Sequence, residues 1–270
     1  MVGGERAVPL TELQRDILAT VNRHRTPESY LAGGAAIHFA PHSLRYSSAL
    51  DFFHDSVARV AAAYAADSEV LTAAAFEIET EISQPGFLRA IVRLGSETTR
   101  IDWARDSAWR FMPPVQDALG GYLLHNVDLA INKTLALVGR DEPRDFVDII
   151  YLHEHVLPLA ALVWATAGKD PGFSPRSLLE LLKRRGHVRP EEVARLDLAK
   201  PFDVVAAKRV WLDALDAAEA FVRTRPADEA GCLYYSLGRA AFVLPGADDP
   251  VGDVVPHFGR AGGVIPRAVP

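Results

Sequence analysis

The stretch LAGGAAIHFAPHSLRYSSALDFF (31–53) decides how the first half of this chain is interpreted. It runs from a Gly-Gly turn through a short helical segment into a strand, where one carboxylate, Asp51, lies among apolar residues. An acid in an apolar strand is costly unless it is paired or bound to a metal. The stretch therefore predicts a polar site built on a strand, and it raises the question of what neutralises Asp51.

Composition limits the class of protein. The chain has 270 residues, of which 49% are hydrophobic and 24% charged, as is typical of a globular protein with one large domain or two small ones. No run approaches the roughly 20 apolar residues that a membrane-spanning helix needs. The opening residues, MVGGERAVPL, lack the apolar centre of a signal peptide. These features predict a cytoplasmic location without membrane contact.

Charge and cysteine content exclude further classes. A net charge of −6 argues against a surface coated with positive charge for nonspecific nucleic-acid binding. The run KRRGHVR (183–189) is either a local basic face that binds nucleic acid or a solvated helix end with its cations near the last carbonyl groups. The single cysteine, Cys232, excludes an internal disulfide framework, and no neighbouring base marks it as a nucleophile. We expect it to be an ordinary buried residue.

The first half of the chain mixes helix and strand signals. Thr11 and Gln14 form a capping-box pattern at the start of an amphipathic helix. The segment FEIETEI (76–82) alternates apolar and acidic residues, which predicts a half-exposed strand. Turn residues at Pro85-Gly86 and Gly95-Ser96 separate the next two apolar runs, so we predict an antiparallel meander.

After about residue 125 the signals become helical. Gly139 suits a helix end and Pro143 suits a first helical turn. Residues 244–270 hold five prolines and five glycines, which predicts a tail draped over the surface or flexible. The chain is therefore predicted to be of the mixed α+β class, with parts at 1–125, 126–243 and 244–270.

Two carboxylates stand out as candidates for chemistry. Asp51 lies in SSALDFF, and Asp102 lies in TRIDWA between Ile101 and Trp103. Two strand carboxylates side by side repel each other unless a divalent cation neutralises them, which is the usual arrangement in a magnesium-dependent phosphoryl-transfer site. The alternative is that each acid caps the backbone or forms a local salt bridge.

Lys133 is the third candidate. It is the only charged residue between Leu129 and Gly139, in a helix that is apolar on nearly every side, so its ammonium group needs a carboxylate or a phosphate opposite it. Arg144 and Asp148 lie four residues apart on the next helix. One hypothesis is that Arg144 and Asp148 form a surface ion pair. The other is that Asp148 orients Lys133 at a nucleotide phosphate.

These residues together resemble the AbiEii/AbiGii family of bacterial nucleotidyltransferase toxins. The resemblance spans about residues 29–156 and lies in YLAGGAAIHFAPHSLRYSSALDFF (30–53) and DLAINKTLALVGRDEPRDFVDIIYL (128–152). Family members show Y-L-x-G-G-[TS]-A, then R-x-S-x-D-L-D-F-F, then D-L-x-x-x-K-x-x-A and R-D-x-x-D. The matching positions here are Gly33, Gly34, Arg45, Ser47, Asp51, Asp128, Lys133, Arg144, Asp145 and Asp148.

The resemblance implies a polymerase-β-like nucleotidyltransferase fold, with a mixed sheet followed by a mainly helical part. Residues 1–125 would then form the nucleotidyltransferase core, and 126–243 a helical domain that completes the active-site cleft. The implied reaction transfers a nucleotide from a nucleoside triphosphate, with Mg²⁺, to an RNA end, which is tRNA in several members. A cognate antitoxin protein is the implied partner.

The resemblance also implies roles for individual residues. The implied metal ligands are Asp51 and Asp102, and the implied catalytic residues are Asp51, Asp102, Lys133 and Asp148. The implied nucleotide-binding residues are Gly33, Gly34, Arg45, Ser47, Lys133 and Arg144.

Two positions depart from the family pattern. Ala35 lacks the usual hydroxyl, and Ala49 stands where the pattern has its first metal-binding acid. Residues two apart on a strand face the same side, so acids at 49 and 51 would share one cation. Three hypotheses remain: an active nucleotidyltransferase toxin, a catalytically impaired protein that binds nucleotide, RNA or an antitoxin, and an unrelated α/β protein.

Overall fold

The computed structural model describes residues 10–39 and 43–266, and the chain divides into two compact units. The first unit comprises Met1–Ala108, Pro113–His125 and Asp197–Lys200, and the second comprises Trp109–Met112, Asn126–Leu196 and Pro201–Pro270. Residues 1–9, 40–42 and 267–270 lie outside the described residues. They include the opening decapeptide apart from Leu10, part of the stretch quoted first, and the end of the expected tail.

The elements follow one another along the chain. Up to residue 125 they are α1 (Glu12–Val21), β1 (Ser29–Ala32), α2 (Gly33–Ile37), β2 (Ala49–His54), α3 (Val57–Ala73), β3 (Glu77–Gln84), β4 (Phe87–Leu94), β5 (Glu97–Arg105), β6 (Trp109–Arg110), β7 (Val115–Asp117) and β8 (Gly121–Leu123). After it they are α4 (Asn126–Arg140), α5 (Pro143–His155), α6 (Leu159–Lys169), α7 (Pro175–Leu182), α8 (Pro190–Val193), α9 (Val204–Thr224), β9 (Cys232–Ser236), β10 (Ala241–Val243), β11 (Val254–Phe258) and β12 (Arg260–Ala261).

The first unit is built on a mixed sheet. Its strand order is β3-β4-β5-β2-β1-β8-β7, and β3, β4 and β5 form the antiparallel meander that the alternation and the two turns predicted. Strand β2 pairs parallel with β5 and antiparallel with β1. The predicted capping box at Thr11 and Gln14 starts α1. The mixed α+β class predicted from the sequence is therefore confirmed.

A buried charge cluster lies in the core of this unit. Asp67 of α3 is fully buried and accepts hydrogen bonds from the Arg25 guanidinium at 2.5 and 2.6 Å and from Trp103 Nε1 at 2.8 Å. His24 Nδ1 lies 2.9 Å from the same carboxylate. Arg25 also stacks over the Phe52 ring at 4.3 Å. The cluster therefore ties α3 to the loop before β1 and to β5.

His54 is buried in the same unit without a hydrogen-bond partner. Its side chain has no exposed surface, and among the described residues neither ring nitrogen is hydrogen-bonded. Burial, together with the positive charges of Arg25 and Arg59, lowers the pKa of His54 to about 3. The folded state therefore holds a neutral imidazole at every pH at which the unfolded chain would begin to protonate it.

We expect His54 to make the first unit less stable in mild acid. Because the unfolded histidine binds a proton near pH 6.5 and the folded one does not, the unfolding free energy should fall by about 2 kcal/mol between pH 7 and pH 5 through this residue alone. Urea unfolding of the parent and of His54→Leu at both pH values measures the difference. An equal acid loss in both proteins would contradict the prediction.

The comparison with the variant is needed because another group acts in the opposite direction. Burial raises the pKa of Asp128, in the second unit, to about 6, against the hydrogen bonds from the backbone of Phe111 and Met112 that lower it. A carboxyl group whose pKa is raised in the folded state lowers the unfolding free energy of the protein as the pH rises through that range. Subtracting the variant from the parent removes this contribution.

The second unit combines helices with a small sheet. Helix α6 is buried along most of its length, and the sheet has the strand order β10-β9-β11. Gly168 of α6 and Gly231 meet closely, because a Cβ on Gly168 would lie 3.1 Å from the Gly231 carbonyl carbon. The short strands β6 and β12 pair with each other.

The segment 244–270, predicted to be draped over the surface or flexible, contains the short strands β11 and β12. Strand β11 pairs with β9 from Val254 to Phe258, and Val264 donates a backbone hydrogen bond to Phe111. The buried His257 lies 3.0 Å from the same carbonyl. Five residues beside the edge of β9 suffice to complete a ladder, even in a segment rich in proline and glycine.

The described part of the chain holds no individual helix with the length and apolarity to cross a membrane. Helices α5 and α6 reach those limits only as a pair, and a bend of 112° separates them. Eight of the eleven residues of α6 are buried in the second unit.

Candidate functional site

The Gly33-Gly34 turn joins β1 to α2 and lies directly under the Asp51 side chain. Ala32 pairs with Asp51 across β1 and β2, and Gly33 follows with φ of +61°. A Cβ at position 33 would lie 2.7 Å from Asp51 Cγ. Any other residue would therefore meet both a strained backbone and the carboxylate, so the turn requires glycine.

Gly34 packs against a cation, although its backbone is not in the left-handed region. A Cβ there would lie 2.7 Å from Arg45 Nη2 and 3.2 Å from Ser47 Oγ. Arg45 is buried, and its Nη1 donates to the Tyr46 carbonyl at 3.0 Å, while Ser47 Oγ donates to the Ala49 carbonyl at 2.8 Å. The structure thus brings together the residues predicted from the quoted stretch: Gly33, Gly34, Arg45, Ser47 and Asp51.

Asp51 and Asp102 are neighbours across β2 and β5, since their Cα positions pair in the parallel register. Arg89 is the neighbour of Asp102 on its other side, in β4. Arg89 Nε donates to Asp102 Oδ1 and Nη2 to Oδ2, both at 2.8 Å. These bonds raise the pKa of Arg89, to which the charge of Asp51 also contributes. Asp102 is therefore neutralised by a bidentate guanidinium.

Arg100 adds a second guanidinium to this face. Its Cα pairs with that of Ala49, and its Nε lies 3.5 Å from Asp102 Oδ1. Residues two apart on a strand share a face, so Ala49 and Asp51 on β2 lie beside Arg100 and Asp102 on β5. A cation thus flanks the position where the family pattern has its first acid.

Sequence reasoning missed Arg89 and Arg100, although a signal was present. In FLRAIVRL the two arginines, Arg89 and Arg93, lie four residues apart and therefore on one face of a strand. In TTRIDWA, Arg100 and Asp102 lie two residues apart and share a face as well. A two-residue turn at Gly95-Ser96 fixes the pairing of the strands, and that pairing sets Arg89 opposite Asp102. The turn and the alternation do not predict that β2 is the strand that pairs with the other edge of β5.

The fit of this face to a divalent cation is poor. Mg²⁺ takes oxygen ligands in near-octahedral geometry, with one or two carboxylates held for it. Here Ala49 supplies no carboxylate and both oxygens of Asp102 accept hydrogen bonds from Arg89. Across residues 10–39 and 43–266, no group of three or more His, Cys, Asp or Glu side chains is arranged to hold a metal.

Lys133, Asp148 and Arg144 belong to the second unit. Lys133 Nζ lies 2.7 Å from Asp145 Oδ1 and 2.9 Å from Asp148 Oδ2, and both acids are fully buried. Arg140 Nε also pairs with Asp145, at 2.6 Å. Asp148 is thus in contact with Lys133 and not at the surface, while Arg144 pairs with Glu142 at 2.8 Å. The hypothesis that Arg144 and Asp148 form an ion pair at the surface is therefore wrong.

Two other sequence features have local partners. In KRRGHVR, Lys183 pairs with Glu180 and Glu219, and Arg185 donates to the Val138 carbonyl at 2.8 Å. Cys232 is buried, as expected, and burial raises the pKa of its thiol to about 11. The thiol is therefore protonated at neutral pH, which does not suit a nucleophile.

Comparison with known proteins identifies the fold. No protein-family model matches the sequence, and a search of curated proteins finds no relative. Among solved structures, the nucleotidyltransferase toxin MenT4 from Mycobacterium tuberculosis matches over 80% of this chain and 83% of its own, with a TM-score of 0.50 and 17% identity. JHP933 from Helicobacter pylori matches over 79% of this chain and 94% of its own, at 16% identity and a TM-score of 0.48. This chain has the nucleotidyltransferase fold of MenT4, as its resemblance to the polymerase-β-like nucleotidyltransferase toxins predicted.

Proposed function

We propose that this chain binds a nucleoside triphosphate at the Gly33-Gly34 turn and is a nucleotidyltransferase whose transfer step is weakened. The observation that carries the proposal is the glycine turn itself, where a Cβ at either position would meet Asp51 or Arg45. A glycine turn also lets the backbone approach a ligand closely. Two adjacent glycines packed against charged side chains therefore support a phosphate-binding role.

The chemistry of the surrounding side chains supports the same ligand. A guanidinium presents donors in a fixed fork that matches phosphate oxygens, and backbone NH groups of a glycine turn add neutral donors. Arg45 lies against Gly34, and Ser47 Oγ lies beside it. Arg45 is the proposed triphosphate ligand in the first unit, with Gly33, Gly34 and Ser47 shaping the turn.

The acceptor and the biological role rest on the family resemblance and on the description of MenT4 as a nucleotidyltransferase toxin. We propose an RNA acceptor, of the tRNA class, and a cognate antitoxin as the protein partner. The proposed catalytic and nucleotide-binding roles of Lys133, Asp148 and Arg144, in the second unit, rest on the resemblance alone. The transfer step is expected to be slow because Ala49 supplies no acid and Arg89 holds Asp102.

Nucleotide binding is the first test. Labelled ATP, GTP, CTP and UTP are titrated in turn into the parent chain, Gly33→Ala and Gly95→Ala. Gly95 is a matched control because its φ is +59° and a Cβ there meets nothing within 4 Å. We expect at least one triphosphate to bind, and Gly33→Ala to weaken it by about tenfold or more while Gly95→Ala changes it little. Equal affinity in all three proteins would contradict the assignment of the turn.

Transfer is the second test. Total RNA is incubated with magnesium and the four triphosphates labelled at the α-phosphate. We expect slow labelling of a small RNA by the parent and none by Gly33→Ala. Triphosphate binding without any labelling would instead favour the second candidate function, a nucleotide-binding protein without transfer, which the missing acid at Ala49 supports.

A further inference from the structure

The strand face formed by β2, β5 and β4 carries two carboxylates and two guanidinium groups in adjacent rows. One row runs Asp51–Asp102–Arg89, and the row beside it runs Ala49–Arg100–Ile91. We propose that Arg89 and Arg100 take the place of the divalent cation on this face, so that the site binds its triphosphate without a metal ion. The claim that a triphosphate binds here rests on the proposed function, whereas the claim that this face holds no metal ion does not.

Arg89 makes the contacts that a metal would otherwise make with Asp102. Both carboxylate oxygens accept from it at 2.8 Å, in the parallel two-bond geometry that is specific to Arg–carboxylate pairs. The Asp102 side chain is 8% exposed, so its carboxylate is largely shielded from competing water. A cation that approached Asp102 would have to displace this guanidinium or lie beside it.

Arg100 explains why the position next to it tolerates alanine. In a metal-binding face, acids at 49, 51 and 102 would give three negative charges that require a cation. Here Arg89 and Arg100 both contact Asp102, the charge of Asp51 acts on Arg89, and Ala49 adds no acid. Glu81, which is exposed, acts on Arg89 only through its charge. The formal charges of the residues in these two rows cancel, which weakens the attraction for Mg²⁺.

The same arginines offer donors to an anion. A guanidinium has five N–H donors, and Arg89 uses its Nε and one Nη in the bonds to Asp102. The side chains of Arg89 and Arg100 are 27% and 29% exposed, so part of each remains accessible. A triphosphate oxygen that a cation would ordinarily hold can therefore be held by a guanidinium.

Metal binding tests the first half of the proposal with Mn²⁺ alone, followed by electron paramagnetic resonance and calorimetry. The parent chain should show no stoichiometric Mn²⁺ site. In the double variant Arg89→Gln with Arg100→Gln, Asp102 loses both of its guanidinium contacts, so Mn²⁺ affinity should rise by about tenfold. Adding Ala49→Asp to that variant should raise it further. A stoichiometric Mn²⁺ site in the parent would overturn the proposal.

The control for these variants is Arg93→Gln. Arg93 lies four residues after Arg89 on the same strand and face, is exposed, and pairs in register with Thr98. It should leave Mn²⁺ affinity at the parent level. Thermal unfolding of each protein checks the fold, and if the triple variant does not fold, the double variant still decides the question because it introduces no new buried group.

Nucleotide binding tests the second half. The affinity for each labelled triphosphate is measured in excess EDTA and again in excess Mg²⁺, and we expect the two values to agree within about threefold. Binding that needs Mg²⁺ would overturn the metal-independent site while leaving the proposed function intact. Absence of binding in both conditions would overturn the proposed function, and the Mn²⁺ measurement would then decide alone whether this face holds a cation.

Discussion

Replacing Asp67 with alanine should destabilise the first unit by about 3–5 kcal/mol, which is the usual cost of removing one partner from a buried ion pair. Asp67 and Arg25 both have side chains with no exposed surface. Without the carboxylate, the Arg25 guanidinium would remain in the core, and its Nε and Nη1 already have no hydrogen-bond partner within residues 10–39 and 43–266. Trp103 Nε1 would lose its acceptor as well.

Urea unfolding followed by tryptophan fluorescence measures this effect. Glu69→Ala is the matched control, because Glu69 lies on the same helix and is exposed, so its loss should cost less than about 0.5 kcal/mol. Asp67→Asn keeps the shape but not the charge, and it should lie close to Asp67→Ala. If Asp67→Ala changes the unfolding free energy by no more than the control, the cluster is not a stabilising element.

Lys133→Ala should have an effect of the same size in the second unit, about 3–5 kcal/mol. The ammonium group holds two fully buried carboxylates, those of Asp145 and Asp148. Arg140 supplies a second cation to Asp145, and the bonds of Arg140 and Lys133 lower the pKa of Asp145 although burial acts to raise it. Removing Lys133 takes away the cation that contacts both buried carboxylates.

The measurement is again denaturant unfolding, with Lys208→Ala as the control. Lys208 is a half-exposed lysine of α9 and should tolerate alanine with a change below about 0.5 kcal/mol. Because Lys133 is both a proposed catalytic residue and a buried ion-pair partner, a loss of transfer in Lys133→Ala must be compared with the folded fraction. A stable, folded Lys133→Ala protein would remove the structural role and leave the catalytic one.

Ala49→Asp alone should not restore a metal site. The added carboxylate would lie beside Arg100, which pairs with position 49 across β2 and β5, and would form an ion pair there. The family pattern by itself suggests that the single substitution Ala49→Asp would be enough to create a metal-binding site. The register shows that the two arginines must also be replaced, as in the triple variant.

The sequence by itself determined the local features. Alternation of apolar and polar residues and the lengths of two turns fixed the β3–β4–β5 meander, and the capping box of Thr11 and Gln14 fixed the start of α1. The glycine turn and its neighbours Arg45, Ser47 and Asp51 lie within 19 positions of each other. These features follow from the sequence because side-chain period, backbone freedom and turn geometry act over a few residues.

The tertiary structure decided which charges meet. Asp67 contacts Arg25 across 42 positions and Trp103 across 36, and β2 rather than another strand lies beside β5. Burial then fixed the consequences, since a buried carboxylate must take whichever cation the packing brings to it. For Asp102 that cation is Arg89. The sequence placed an acid in a strand, and only the folded chain chose a guanidinium as its partner.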